Sequence, residues 1–350
     1  MLAPLIHILP LTTLLRTRLL PEEGRLLVNV GQKVNPTDIV AEAVVGKKHL
    51  VVDLAQKLGV SQSQVARLLK VKKGQQVSKD EVLAESPGLF GREATSPMDG
   101  LVVAIGSGKI VLETGGAIFE LAAGLPGVVV QLIGTRGVVI RATGAIIQGL
   151  WGNGRLDFGQ LHSLMDAPDE VLDPGRIEVS LRGSILLGGH VESPKVFHNA
   201  AELPVRGLLI ASLAPALLPL ALQAAYPVVV LEGFGRRPIN SSTYKLLSTN
   251  VKREISLNAE FADRQKDLHP EAFIPLPVSQ EPPGPSQADT FTAGQMVRVI
   301  SLSKPARLGT LTRLCGISTL PSGIIASAAE VRLESGEEIL TPLTNLEVLG

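Results

Sequence analysis

One segment of the chain occurs twice, and this duplication limits what the first part of the chain can fold into. Residues 28–43, VNVGQKVNPTDIVAEA, align without a gap on residues 71–86, VKKGQQVSKDEVLAES. Each copy predicts short strands separated by a glycine turn and a polar turn, with apolar residues facing a shared core. The identical pairs are Val28 with Val71, Gly31 with Gly74, Gln32 with Gln75, Val34 with Val77, Ala41 with Ala84, and Glu42 with Glu85.

A second pair of related segments follows the repeat. Residues 100–118, GLVVAIGSGKIVLETGGAI, resemble residues 127–146, GVVVQLIGTRGVVIRATGAI. Both read as β-hairpins, with glycines 106 and 108 at one bend and glycines 134 and 137 at the other. Residues 20–148 are therefore predicted to form a β-rich unit of four related hairpin-like pieces.

These segments also carry a resemblance to a known family. The pattern V-x-x-G-Q-x-V-x-x-x-E-x-L-A at 71–84, followed by SPMDGLV at 96–102, resembles the barrel-sandwich hybrid of biotinyl and lipoyl carrier domains and their unmodified relatives. In the modified families a lysine on the hairpin tip between these two motifs carries the cofactor. Residues 85–95, ESPGLFGREAT, contain no lysine. The resemblance thus implies the fold without a biotin or lipoyl attachment residue and without a cofactor, and it specifies fold more than activity.

The periodicity changes after the repeats. Apolar runs without alternation, separated by helical patterns, predict parallel strands covered on both faces over residues 176–274. A strand is expected at 177–191, and Ser241 or Ser242 is expected to cap a later helix. Residues 291–350 alternate as antiparallel strands, and G-x-x-V-x-V at 294–299 with G-T-L at 309–311 is similar to KOW-type, SH3-like modules.

The predicted fold class is therefore multidomain β plus α/β. Its expected divisions are a barrel-sandwich hybrid-like β domain at 1–148 with a helical insertion at 53–70, a connecting segment at 149–175, a small parallel α/β domain at 176–274, a proline-rich linker at 275–290, and a KOW/SH3-like barrel at 291–350.

The insertion, DLAQKLGVSQSQVARLLKV, fits a helix-turn-helix pattern. In that interpretation a recognition helix would offer base and phosphate contacts from Gln62, Gln64, Arg67 and Lys70. A stable unit of this kind needs a third helix, and the repeat copies on either side leave no room for one. The sequence favours a helical hairpin used for packing or docking, and nucleic-acid contact stays the alternative.

A ligand site is conceivable at the carboxyl ends of the parallel strands, where loops converge. Glycines there would let the backbone approach a phosphate or carboxylate, arginines would hold it, and a histidine could act as acid or base. The opposing interpretation is that parallel strands need glycine turns and surface arginines anyway. The candidate residues are His190, Ser212, Glu232, Gly233, Gly235, Arg236 and Arg237.

Composition narrows the functional classes. The formal net charge is zero, so the whole chain produces no field that would attract nucleic acid or anionic lipid. The one cysteine excludes an intrachain disulfide and a cysteine-cluster metal site, which fits a cytoplasmic protein, and the scattered histidines offer no metal-binding spacing. Prolines 4 and 10 interrupt the apolar N-terminus, so no transmembrane segment is expected, and peripheral membrane contact is left open.

The sequence favours a non-catalytic adaptor or assembly protein that binds a macromolecular partner, expected to be a protein, through the hybrid and SH3-like domains. Two alternatives remain: a nucleic-acid-binding regulator that uses the helical insertion and the KOW-like module, and an enzyme or small-ligand binder at the α/β loops.

Overall fold

A computed structural model describes residues 2–3, 5–87, 91–261, 268–285, 289–300 and 307–349. The described part is mostly β, with several sheets and few helices. Among these residues, no helix has the length and apolar character needed to cross a membrane. The helices are α1 (Leu54–Leu58), α2 (Gln62–Val65), α3 (Lys195–Glu202), α4 (Leu218–Gln223) and α5 (Ser241–Ser248). The strands are β1 (Leu2–Ala3), β2 (Leu5–Ile6), β3 (Ile8–Leu19), β4 (Arg25–Leu26), β5 (Lys33–Val34), β6 (Ile39–Asp53), β7 (Gln76–Val77), β8 (Val82–Glu85), β9 (Glu93–Thr95), β10 (Gly100–Gly106), β11 (Lys109–Ala122), β12 (Gly127–Ile133), β13 (Gly137–Gln148), β14 (Trp151–Gly152), β15 (Leu156–Ser163), β16 (Ser184–Val191), β17 (Gly207–Leu213), β18 (Val228–Val230), β19 (Glu254–Asn258), β20 (Glu271–Pro275), β21 (Asp289–Thr290), β22 (Met296–Val299), β23 (Arg307–Thr319), β24 (Ile325–Leu333), β25 (Glu338–Pro342) and β26 (Leu346–Leu349).

The two copies of the repeat form the same turn. The amide of Gly31 donates to the carbonyl of Val129 over 2.7 Å, and the amide of Gly74 donates to the carbonyl of Val102 over 2.7 Å. Both glycines have positive φ, +86° and +87°. A side chain at either position would be forced into the left-handed region, so the shared glycine has a conformational cause.

Side-chain hydrogen bonds repeat as well. In each copy a glutamine closes the glycine turn and an acidic residue closes the polar turn, each by accepting from a backbone amide three residues earlier. These bonds join Asn29 N to Gln32 Oε1 (3.1 Å), Lys72 N to Gln75 Oε1 (3.1 Å), Asn35 N to Asp38 Oδ2 (2.7 Å) and Ser78 N to Glu81 Oε2 (2.8 Å). The sequence repeat is therefore a repeat of backbone structure.

Each copy pairs with its own hairpin, so the repeats form two nested units. β5 of the first copy pairs with β12, while β7 of the second copy pairs with β10. We call residues 20–43 with 120–148 the outer unit and residues 50–112 the inner unit. The two units have separate buried cores rather than the shared core expected from sequence: Val34 and Val40 lie in one, and Val77 and Leu83 lie in the other.

A two-stranded ribbon joins the units. β6 and β11 pair continuously in register from the outer unit to the inner unit. We call residues 44–49 and 113–119 the ribbon, and the described residues outside the ribbon and the inner unit the body. The helical insertion lies in the inner unit, where α1 and α2 cover less of residues 53–70 than expected.

The α/β region is built on parallel strands. β15, β16, β17 and β18 pair in parallel, with α3, α4 and α5 along the chain between or after them. Every residue of β16 and β17 is buried, which explains the non-alternating apolar runs. The expected strand at 177–191 begins later, at Ser184, because Val179–Leu181 forms a 3-10 turn.

The α/β strands and the outer unit share one sheet. The order β14-β18-β17-β16-β15-β19-β20-β13-β12-β5 is continuous, and β3 pairs with β13 at its side. Through β5, β12 and β13 the outer unit is hydrogen-bonded into the sheet that has the most strands among the described residues. The inner unit's β7 and β10 lie in a second sheet, of order β4-β6-β11-β10-β7, which β4 of the outer unit also joins.

The C-terminal strands form a further sheet of order β2-β26-β22-β23-β24-β25. We call residues 291–300 and 307–349, with strands β1 and β2, the C-terminal module. The division expected from sequence placed residues 2–6 in the first domain, but β1 pairs with β21 and β2 pairs in parallel with β26. These strands are too short to reveal their partners by periodicity.

Part of the expected linker lies against the body. The carbonyl of Pro283 accepts from the hydroxyl of Thr12 over 3.0 Å, and Glu281 forms an ion pair with Arg141. Residues 286–288 of the segment lie outside the described residues. This segment therefore contacts β3 at Pro283 and β13 at Leu276 and Glu281.

Candidate functional site

The predicted ligand residues of the α/β loops do come together, but their polar atoms bind one another. Ser212 Oγ donates to the carbonyl of Arg237 over 2.8 Å and accepts from the amide of Arg237 over 3.0 Å. His190 Nδ1 lies 2.9 Å from the same oxygen. Because the hydroxyl has one proton, His190 must carry its proton on Nδ1 and donate. Ser212 is fully buried, so it holds the 237 loop in place and is not an exposed nucleophile.

The sequence predicts His190 in a loop, but the structure places it in β16. Its amide donates to the carbonyl of Glu170 over 2.8 Å, which keeps the end of the strand paired. Burial lowers the pKa of His190; the negative charge of Glu192 opposes this, and the positive charge of Arg236 adds to it. The imidazole is therefore neutral at pH 7.

Gly233 and Gly235 are needed for the backbone conformation rather than for ligand binding. Both have positive φ, and the chain here continues beside β17, with Gly235 N donating to the carbonyl of Leu213 over 2.9 Å. Arg237 is half-buried and its guanidinium reaches the carbonyl of Glu232 at 3.4 Å. Of the predicted anion-binding side chains, Arg236 alone is exposed.

Glu232 is engaged by the C-terminal module. Its Oε2 accepts from Arg298 Nη1 over 2.9 Å, and Arg298 Nε donates to Glu347 over 3.0 Å. All three side chains are almost completely buried, with 3–6% of their surface exposed. A charged triad thus joins the carboxyl edge of the parallel sheet to β22 and β26, and Glu232 has no oxygen left for a ligand, because Oε1 accepts from Asn240.

The helix cap expected at Ser241 or Ser242 is instead Asn240. Its side-chain oxygen accepts from Thr243 N over 2.8 Å, so Asn240 is the N-cap of α5. Its side-chain amide donates to Glu232 over 2.6 Å. The cap residue therefore also orients the carboxylate of the triad.

Sequence reasoning missed Arg298. The residue lies in M-V-R-V, between two buried valines, and faces Glu347 directly across β22 and β26. An arginine inside an apolar strand was the available signal, because a buried charge requires a partner. Its second partner, Glu232, is distant in sequence and could not be inferred.

A cleft of about 350 Å³ lies beside the triad, between the α/β region and the C-terminal module. Its polar lining includes Glu232, Ser241, Arg307 and Glu334. The cleft does not include His190 or Ser212; of the predicted ligand residues, its lining contains Glu232 alone. Arg307 in the cleft wall already pairs with Glu337.

The four candidate nucleic-acid residues of the helical insertion are all exposed, and two of them have partners within the inner unit. α2 has four residues, and Gln64 Oε1 accepts from the amide of Ser61, so Gln64 caps its own helix. Lys70 pairs with Glu85 over 3.2 Å. Gly108 packs directly beneath α2, because a Cβ there would meet the backbone of Gln62 at 3.1 Å. Gln62 and Arg67 are exposed.

The segment that carries the modified lysine in biotinyl and lipoyl domains runs here from 85 to 95. Residues 88–90 of it lie outside the described residues. Described residues contain no group of three or more His, Cys, Asp or Glu that could hold a metal ion.

An apolar surface that sequence reasoning did not single out lies on the long β23–β24 hairpin. β22 pairs with β23 only up to Thr310, and β25 pairs with β24 only from Ala328. Beyond these points, the described residues of the two strands pair only with each other. We call residues 314–329 the tip. Its exposed large apolar side chains are Leu314 (46%), Ile317 (80%), Ile324 (61%) and Ile325 (69%).

No protein-family model matches the chain, and no curated protein matches it.

Proposed function

We propose that the protein is a non-catalytic adaptor that binds a protein partner through the tip of its C-terminal module. The exposed aliphatic tip is the observation that carries this proposal. Ile317 pairs with Ser327, and Thr319 pairs with Ile325, so Ile317 and Ile325 lie on the same face of the ribbon-like hairpin. Two large, exposed isoleucines on a projecting hairpin contribute nothing to the module's own core.

The composition of the tip supports a protein partner. Residues 314–329 contain no charged residue. Depletion of charge with retention of large apolar side chains is typical of the central part of a protein–protein interface. Exposed apolar side chains grouped on a projecting element also indicate an interaction site more than single scattered ones do.

The proposal includes the two domain resemblances. The nested repeat units, with their matching glycine turns, support a relationship to unmodified barrel-sandwich hybrid domains. The small antiparallel sheet of the C-terminal module supports a KOW/SH3-like barrel. In this proposal the α/β region provides a rigid support, and the buried triad fixes the C-terminal module upon it.

A capture experiment tests the proposal. The full chain is immobilised, proteins from its source cells are applied, and bound proteins are identified and then purified for titration. We expect Ile317→Ser combined with Ile325→Ser to weaken binding of the purified partner by at least about 30-fold, the effect of removing about 2 kcal/mol of hot-spot energy.

Val179→Ser is the matched control, because Val179 is 75% exposed and lies in the α/β region, away from the tip. It should leave binding unchanged. Equal affinity of the tip variant and the control would overturn the proposal, and so would loss of binding in both.

A further inference from the structure

Three glycines meet in the middle of the ribbon that carries the inner unit. Gly46 on β6 and Gly115 and Gly116 on β11 all have positive φ, +73°, +69° and +99°. The register pairs Val45 with Ala117 and Lys47 with Gly115, which places Gly46 opposite Gly116. Glycines in this conformation on facing strands interrupt the regular extended backbone of both strands at one level.

The same part of the ribbon has little side-chain packing. Residues 115–120 are all exposed, and so are residues 46–49. A Cβ at Gly46 or Gly115 would meet no atom within 4 Å, whereas a Cβ at Gly116 would meet Val44 Cγ1 at 2.6 Å. Regular strands in a sheet are stiffened by neighbours on their faces and edges; here Val45 packs against the core of the outer unit, but residues 46–49, towards the inner unit, are exposed.

Among its described residues, the inner unit has no polar attachment to the body other than the ribbon. Every hydrogen bond and ion pair formed by described residues of 50–112 ends within that range or on the ribbon. Its buried core is separate from the core of the outer unit. Lys47 and Glu113 form an ion pair across the ribbon at 2.9 Å, but half-exposed pairs of this kind contribute little rigidity.

We propose that the glycine crossing of Gly46, Gly115 and Gly116 is a hinge about which the folded inner unit reorients relative to the body. The movement is rigid-body: the inner core stays intact while backbone dihedrals at the crossing change. It changes the angle at which the helical insertion is presented. This inference is independent of the proposed adaptor function, because it does not involve the tip.

Distance distributions between spin labels test the hinge in the full chain. Cys315→Ser removes the only native thiol. Lys79→Cys in the inner unit and Gln131→Cys in the outer unit then place one label on each side of the hinge. Gln131→Cys with Lys245→Cys gives a reference pair within the body. We expect the pair across the hinge to have a distribution at least about twofold broader than the reference pair.

A glycine variant tests whether the crossing is the cause. Alanine at Gly46 and Gly115 disfavours positive φ without a clash, because a Cβ at either position meets no atom within 4 Å. We expect the distribution across the hinge to narrow or its mean to move. Gly323→Ala is the control, since Gly323 also has positive φ and open space but lies in the tip. Equal widths for the two label pairs would overturn the hinge. A broad distribution that the double alanine variant leaves unchanged would overturn the role of the glycines, and with it the proposal.

Discussion

The outer and inner units are the same motif in two settings. Both have the glycine turn, the glutamine and acidic side-chain bonds, and the pairing of a short strand with a hairpin. The outer unit is part of the large sheet that continues into the α/β region. The inner unit is joined to the outer unit through the ribbon and has its own buried core. The two copies therefore have the same local structure but different contacts with the rest of the molecule. We expect the outer unit to unfold together with the large sheet and the inner unit to unfold more independently.

The largest effect is expected within the body, at the buried triad. Arg298→Met leaves the carboxylates of Glu232 and Glu347 buried without their shared cation, which should lower the free energy of unfolding by about 3–5 kcal/mol. Amide hydrogen exchange should show lost protection in the α/β region and C-terminal module, while the inner unit keeps its protection.

Arg313→Met is the control for that experiment. Arg313 pairs with Glu330 on the surface, where both side chains are solvated. Because solvent screens this pair, its removal should cost far less than the removal of Arg298. If Arg298→Met were no more destabilising than this control, the triad would not hold the module on the sheet.

The second prediction compares the two copies directly. Val34 and Val77 are equivalent valines, both buried. Val34→Ala and Val77→Ala should each cost about 2 kcal/mol through lost burial and a residual cavity. The consequence should differ: Val77→Ala raises exchange only within 50–112, whereas Val34→Ala raises it across the large sheet. Identical exchange patterns would mean that the two units unfold together.

Much of this repeat could be predicted from sequence. Gly31 and Gly74 stood at corresponding positions, and a tight turn explains why glycine is needed there. The nesting could not be predicted, because the sequence does not say which hairpin pairs with which copy. Val34 and Val77 were therefore expected in one core and lie in two.

The candidate site was only partly accessible from sequence. The rule that loops converge at the carboxyl edge of parallel strands brought His190, Ser212 and Glu232 together correctly. The polar atoms of these residues are already hydrogen-bonded to groups that only the tertiary structure brings near, above all to Arg298 from a distant strand. Residue type and spacing carry no information about such partners.

The third prediction concerns the glycine turns themselves. A Cβ at Gly31 or Gly74 would meet no atom within 4 Å, so the cost of alanine is conformational only. Each substitution should destabilise its own unit by about 1–2 kcal/mol, the cost of a left-handed residue. Equilibrium denaturation followed by hydrogen exchange measures both. A much larger cost at one turn than at the other would show that the copies are less alike than their hydrogen bonds indicate.

The smallest effect is a pH dependence confined to the body. Burial holds the pKa of His190 below its ordinary value, so the unfolded chain takes up a proton that the folded chain does not. The stability that this histidine contributes is present above about pH 6.5 and is lost as pH falls through that value. The inner unit has no histidine in residues 50–112, so His190 gives it no such loss. His190→Asn can keep the hydrogen bond to Ser212 but cannot be protonated. Between pH 7 and pH 5, the variant should therefore lose less stability in the body than the native chain, as measured by hydrogen exchange in β16 and β17. An unchanged pH profile would show that another group controls the acid stability of the body.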